Sequence, residues 1–133
     1  VNNRFAIRFT AMPEHIDENG HVNNTVWLKW MEELSTAHWV ARADPAHVAA
    51  YAWVVLRHEI DYRGNVGLGA RVEGITEIRE GPNGARFDRH FRFVDQAGKE
   101  LVRARTTWAM IDRASGKLVR VPPEVAAPFL PPE

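Results

Sequence analysis

His-Ile-Asp-Glu-Asn-Gly-His-Val-Asn-Asn-Thr-Val-Trp-Leu-Lys-Trp-Met, residues 15–31, passes from an acidic polar loop straight into a periodic apolar segment. Asp17, Asn19 and Gly20 are turn formers, and Asn23, Asn24 and Thr25 are all suited to cap a helix, so a helix is expected to begin between residues 23 and 25. Beyond that point Trp27, Trp30, Met31, Leu34, Ala37, His38 and Ala41 recur at three- and four-residue spacing, whereas Lys29, Glu32, Glu33 and Arg42 fall largely elsewhere. The result is one broad apolar face that needs a sheet to cover it. The loop also brings a carboxylate beside the unpaired N–H groups of a helix start, where negative charge is favoured. A plain capping turn is the competing reading for a loop of this composition.

Upstream, Phe5, Ile7 and Phe9 alternate with Arg4, Ala6 and Arg8, the pattern of a half-buried first strand over residues 4–9. Downstream, the helix should end before Asp44-Pro45, since the residue preceding a proline avoids helical angles, and a short helical or irregular piece follows over 46–51. The chain then changes character. Residues 53–62 are β-branched and aromatic, 71–79 alternate, and Gly81-Pro82-Asn83-Gly84 turns the chain into 87–94, where Phe87, Phe91 and Phe93 share a face. A second turn at Asp95-Gln96-Ala97-Gly98 leads to a long strand over 101–111. The tail carries five prolines from Pro122 onward and little regular structure is expected of it. One long helix with a strand before it and four mainly antiparallel strands after it predicts an α+β architecture, a curved five-stranded sheet wrapped around one central helix. Such a sheet leaves strand edges open, so a dimer or a larger homo-oligomer is expected.

Composition sets the outer bounds. A chain of 133 residues, 45% hydrophobic, suits a single domain over residues 1–133. Seventeen basic and seventeen acidic side chains cancel, which argues against nucleic acid or an anionic membrane surface as partner and for a small molecule. The absence of cysteine rules out a thiol nucleophile and disulfides and fits a reducing, cytoplasmic setting. No apolar run approaches the roughly 20 residues of a membrane span, and Val-Asn-Asn-Arg is not the start of a secretory signal.

The residues from Asp17 to Trp27 carry a likeness to a known family. Asp17-Glu18-Asn19-Gly20-His21-Val22-Asn23-Asn24 followed by Trp27 resembles the Asp-x-x-Gly-His-Val-Asn-Asn-x-x-Tyr pattern of hotdog-fold acyl-CoA thioesterases of the 4-hydroxybenzoyl-CoA thioesterase type, with tryptophan in place of the tyrosine. Val54-Val55-Leu56-Arg57, Ile60-Asp61-Tyr62, Gly69 and Ala109-Met110-Ile111-Asp112 with Gly116 are similar to later strands and turns of that family, so the likeness runs over most of the chain. It departs at His15, where relatives often carry a second aspartate, and at Asn65, where a proline is common. The resemblance implies a cofactor-free hotdog enzyme that hydrolyses an acyl thioester of coenzyme A or an acyl carrier protein. Asp17 would be the nucleophile or general base, and the Asn24 backbone amide would polarise the carbonyl. That fits the chemistry, because attack on a thioester needs an activated oxygen and builds negative charge on the carbonyl oxygen.

The neighbouring residues divide between site and scaffold. His21 either contacts substrate or fixes the loop by hydrogen bonds, Asn23 is a structural cap beside the substrate, and Trp27 either packs in the core or lines an acyl tunnel. No metal site is assigned, since His15, Asp17 and His21 lack helical ligand spacing and Asp17-x-Asn19-Gly20 places its glycine too early for a calcium loop. Gly64, Gly67 and Gly69 precede strand residues rather than a helix and are turn glycines. Arg57, Arg63, Arg86, Arg89 and Arg92 are read as solvent-facing strand arginines, so no nucleotide site is assigned. Two other classes stand beside hydrolysis: a non-catalytic acyl-thioester or lipid-binding hotdog module, and a hotdog dehydratase or hydratase, which would need a histidine–acid pair.

Overall fold

The computed structural model describes residues 2–132. Strand β1 (Arg4–Thr10) leads through a 3₁₀ turn (Pro13–His15) to helix α1 (Asn24–Arg42), a short helix α2 (Pro45–Ala50) and strands β2 (Tyr51–Tyr62), β3 (Arg71–Glu77), β4 (Arg86–Val94) and β5 (Glu100–Asp112). The five strands form one sheet in the order β1-β3-β4-β5-β2, every neighbouring pair antiparallel. The fold is the α+β hotdog arrangement, with α1 in the hollow of the sheet.

Alternation decides which side chains meet the helix. On β1 Phe9 is buried and Phe5 and Ile7 half-buried, while Arg4, Ala6, Arg8 and Thr10 are exposed. From α1, Val26, Trp27, Trp30, Met31, Leu34, Ser35 and His38 are buried against them. The helix comes closest at Gly74 of β3, where a Cβ would lie 2.8 Å from side-chain atoms of Leu34, Phe9 and Phe93. Only glycine allows that approach. Ser35 is satisfied by donating to the carbonyl of Met31 at 2.8 Å. Ala41, placed on the apolar face by its spacing, is exposed together with Val40 and Arg42, because the last turn of α1 is left uncovered. The outer face of the sheet is polar and carries ion pairs such as Arg4–Glu77, Arg79–Glu77 and Arg105–Glu59.

Two features differ from the sequence reading. The proline-rich tail is ordered into helix α3 (Pro123–Ala126) and a 3₁₀ turn (Ala127–Phe129), with Val125, Ala126 and Phe129 buried. Proline is compatible with a first helical turn, and three apolar side chains suffice to dock it. Phe129 stacks on Trp39 and meets His38 edge-on. The second difference is Arg89, which is 7% exposed and lies between Phe87 and Phe91 on the inner face of β4. Arg57, Arg63, Arg86 and Arg92 are exposed as expected.

The interior therefore has two apolar halves. One gathers Phe9, Trp27, Trp30, Leu34, Phe91 and Phe93, the other Ala43, Ile78, Phe87, Met110, Val125 and Phe129. Between them runs a row of buried polar residues: Thr76 on β3, Arg89 on β4, Thr106 on β5 and His38 on α1.

Candidate active site at the start of α1

The loop before α1 is a small hairpin. Ile16 bridges Val22, the Asp17 N–H donates to the His21 carbonyl at 2.9 Å, and the Asn23 N–H donates to the His15 carbonyl at 3.0 Å. Its turn closes through the Gly20 N–H to the Asp17 carbonyl at 3.0 Å, with Gly20 at φ 79°, a left-handed angle that costs glycine nothing. The Asp17 carboxylate is held by the same turn: Oδ1 accepts from the N–H of Asn19 at 2.9 Å and of His21 at 3.4 Å. Its Oδ2 has no hydrogen-bond partner among the described residues, and the side chain is half-buried. One oxygen thus orients the group while the other stays available.

Two residues after His21 the helix begins. Asn23 is the N-cap, its Oδ1 accepting from the Thr25 N–H at 3.0 Å and from Thr25 Oγ1 at 2.8 Å, and the Val26 N–H donates to the Asn23 carbonyl at 2.9 Å. The Asn24 N–H has no acceptor among the described residues. It is the donor the cap leaves open at the positive end of a 19-residue helix. The hairpin is buttressed from the β2–β3 connection, where Asn65 Nδ2 donates to the Val22 carbonyl at 2.9 Å and the Val22 N–H donates to the Val66 carbonyl at 3.1 Å. Asn65 thus clamps the loop; its amide was the sequence signal for this. At the same end of the sheet the Tyr62 hydroxyl reaches the Asn24 carbonyl at 3.4 Å.

The other sequence candidates are placed as follows. His21 is exposed, and its ring makes no hydrogen bond among the described residues; the hydrogen bonds by which His21 fixes the loop come from its backbone. Trp27 is fully buried and packs edge-on against Trp30 and Phe93. His15 accepts from the Met12 N–H through Nδ1 and lies edge-on to Trp30, which directs it into the 3₁₀ turn.

The model of the thioesterase-like superfamily matches residues 12–129. The chain belongs to that superfamily. Among solved structures it is similar to a 1,4-dihydroxy-2-naphthoyl-CoA thioesterase from Synechocystis (TM-score 0.79, 17% identity, 95% of each chain covered). It is also similar to a Staphylococcus aureus protein solved in complex with CoA (TM-score 0.85, 13% identity, 95% of this chain and 81% of that one). A third likeness is to an acyl-ACP thioesterase from Bacteroides thetaiotaomicron (TM-score 0.84, 23% identity), where 99% of this chain spans 55% of the other, about half its length. At these identities the likeness establishes the fold. No protein of curated function matches the sequence.

Proposed function

We propose that this member of the superfamily hydrolyses an acyl thioester, carried on coenzyme A or an acyl carrier protein, to the free acid and thiol. The observation that carries the reading is the pairing of an open Asn24 N–H with a carboxylate that has one uncommitted oxygen, in a hairpin that ends at the helix start. Asp17 attacks the thioester carbonyl carbon directly or takes a proton from an attacking water. The carbonyl oxygen gains the negative charge and accepts a hydrogen bond from the Asn24 N–H. Collapse of the tetrahedral species breaks the C–S bond, and the sulfur leaves as a thiolate that takes up a proton; the water route gives the free acid at once, whereas direct attack leaves an acyl–Asp17 anhydride that a water then hydrolyses to the free acid and the Asp17 carboxylate. His21, exposed beside Asp17, and Asn23, the cap, flank the substrate. The kinship of the family motif supports an aromatic or aliphatic acyl-CoA of the 4-hydroxybenzoyl-CoA thioesterase type, and similarity to thioesterases acting on CoA and on carrier-protein conjugates supports either carrier.

The functional unit in this reading is a homodimer or a pair of dimers joined through β2. Strand β2 is an edge of the sheet, and Val54, Val55 and Leu56 are all exposed on it, a 12-residue edge that a second copy would cover. Against a dehydratase or hydratase stands the arrangement of the histidines: His38 pairs with Arg89, His58 with Thr106, the contact of His90 with Glu80 lies on the outer face of the sheet, and His21 meets Asp17 through its backbone N–H and not its ring. The non-catalytic binding module is separated by turnover. The test is thiol release from a panel of acyl-CoAs, read with a thiol reagent that a cysteine-free protein does not consume. Asp17→Asn is expected to keep the fold and lower kcat by roughly 10³-fold or more; near-normal kcat in that variant defeats the assignment.

A further inference from the structure

A cavity of about 270 Å³ opens between the later turns of α1 and the β4–β5–β2 side of the sheet. Its walls are aromatic, with Trp39, Trp53, Phe87, Trp108 and Phe129, and Arg89 lies on its inner wall. Such a lining suits an apolar body with one polar end.

Arg89 is the anomaly. Its Nη1 donates to Nδ1 of His38 at 2.7 Å and to Oγ1 of Thr76 at 3.1 Å, while Nε and Nη2 have no partner among the described residues. Neither partner is an anion. The Nε2–H of His38 donates to the carbonyl of Asn2 at 2.7 Å, so Nδ1 carries the lone pair that accepts from Arg89 and the ring is neutral. Burial and the Arg89 charge hold His38 at about 4. Arg89 keeps its charge at neutral pH, burial alone drawing it down to about 10. Glu32, the carboxylate on the cavity wall, is exposed and acts on His58 rather than on Arg89. Arg113, at the wall too, is a second cation, and the indole N–H of Trp108 is buried there without an acceptor among the described residues. A buried guanidinium without an anion is costly, and a planar fork with open N–H groups is the donor set that a carboxylate fits in two-point fashion.

We propose that this cavity binds the carboxylate of an apolar ligand, held by the open side of Arg89. Two sources supply that chemistry: the far end of an acyl chain that is still a thioester at Asp17, and a free long-chain acid. The first source rests on the hydrolase reading above. Asn24 and Ser35 are eleven residues apart on α1, about 16 Å, which a chain of roughly a dozen carbons spans.

Binding is measured first, by the intrinsic fluorescence of the tryptophans on the cavity wall, titrated with decanoate and with decanamide. Decanoate is expected to bind roughly thirtyfold or more tightly than decanamide, and Arg89→Met to abolish the difference. Equal binding of the two ligands, or an unchanged preference in Arg89→Met, overturns the proposal. Should Arg89→Met not fold, the wild-type comparison of acid with amide decides alone. The source is then assigned by turnover. A preference for the mono-CoA thioester of dodecanedioic acid over dodecanoyl-CoA, lost in Arg89→Met, identifies the acyl chain; equal turnover with the decanoate preference intact identifies a free acid. Failure to cleave any thioester counts against the hydrolase reading and leaves the binding result standing.

Discussion

Gly74→Ala tests how the helix is seated on the sheet. The added Cβ would stand 2.8 Å from Leu34 Cδ1, Phe9 Cε2 and Phe93 Cε1. Carbon atoms in ordinary contact are about 3.5–4.0 Å apart, so each neighbour must give by roughly 0.7 Å or more. None has room to do so cheaply: Leu34 and Phe93 are fully buried, Phe9 is 8% exposed, and Phe9 stacks on Trp30. Gly74 has no left-handed angle, so alanine meets no backbone strain there and gains about 0.4–1 kcal/mol by restricting the unfolded chain. Overpacking costs about 1–3 kcal/mol, and three simultaneous contacts place this site at the upper end, for a net loss of about 2 kcal/mol. In a chain of this size that lowers Tm by roughly 8 °C. Urea and thermal unfolding of the two proteins measure it, and Leu34→Val in the same background should recover about 0.5–1 kcal/mol as a coupling between neighbours. A Gly74→Ala protein within about 0.5 kcal/mol of wild type refutes the close-approach argument.

Asn24→Ala retains the backbone N–H and should alter kcat modestly, whereas Asn24→Pro removes that N–H at a position where proline's angle is tolerated, and should lower kcat roughly 10²–10³-fold in a folded protein; equal rates in the two variants would move the oxyanion donor elsewhere. His38, held at about 4 against an ordinary 6.5, is neutral when folded, so its contribution to stability is complete above pH 6.5, is lost as pH falls from 6.5 toward 4, and is constant below that. The loss is at most about 3 kcal/mol, read as the difference in urea midpoints between wild type and His38→Gln across pH 4–7; parallel curves refute it. Sedimentation should show a dimer or a pair of dimers, and Leu56→Lys or Val55→Lys on the β2 edge should yield a monomer with little activity; a fully active monomer contradicts the dimer as the functional unit.

The parts of the molecule governed by local periodicity were legible in the sequence. Asn23 to Thr25 marked the start of α1, Asp44-Pro45 marked its end, and the alternation of Phe5, Ile7 and Phe9 matches the burial of β1. The hairpin of β3 and β4 and the long β5 were likewise fixed by turn residues between alternating runs. Arg89 shows where such reading stops. The alternation of Phe87, Phe91 and Phe93 places residue 89 on the inner face, whereas the residue type argues for solvent. What makes the position tolerable is a histidine 51 residues earlier, on another element, and no local pattern announces that. The tail shows the opposite limit: its prolines signal a break in regular structure, while Val125 and Phe129, the residues that dock it, carry no local periodicity. At the site, the turn chemistry of Asp17 and Gly20 and the cap of Asn23 were readable one residue at a time, whereas the silence of the His21 ring and the core burial of Trp27 depend on neighbours from distant strands.

The polar row of Thr76, Arg89, Thr106 and His38 has a mechanical meaning. Apolar clusters unfold together because each side chain supports the next, and a seam of hydrogen-bonded groups interrupts that mutual support. The half that holds the hairpin and the start of α1 is on this ground expected to open independently of the half formed by Ile78, Phe87, Met110 and the docked tail. Release of the tail, whose Phe129 lies on the cavity wall, is then expected to widen the aromatic cavity while the amide and carboxylate at the other end of the helix stay in place. Amide protons of β3 and β4 on the two sides of the seam should therefore exchange with solvent at different rates.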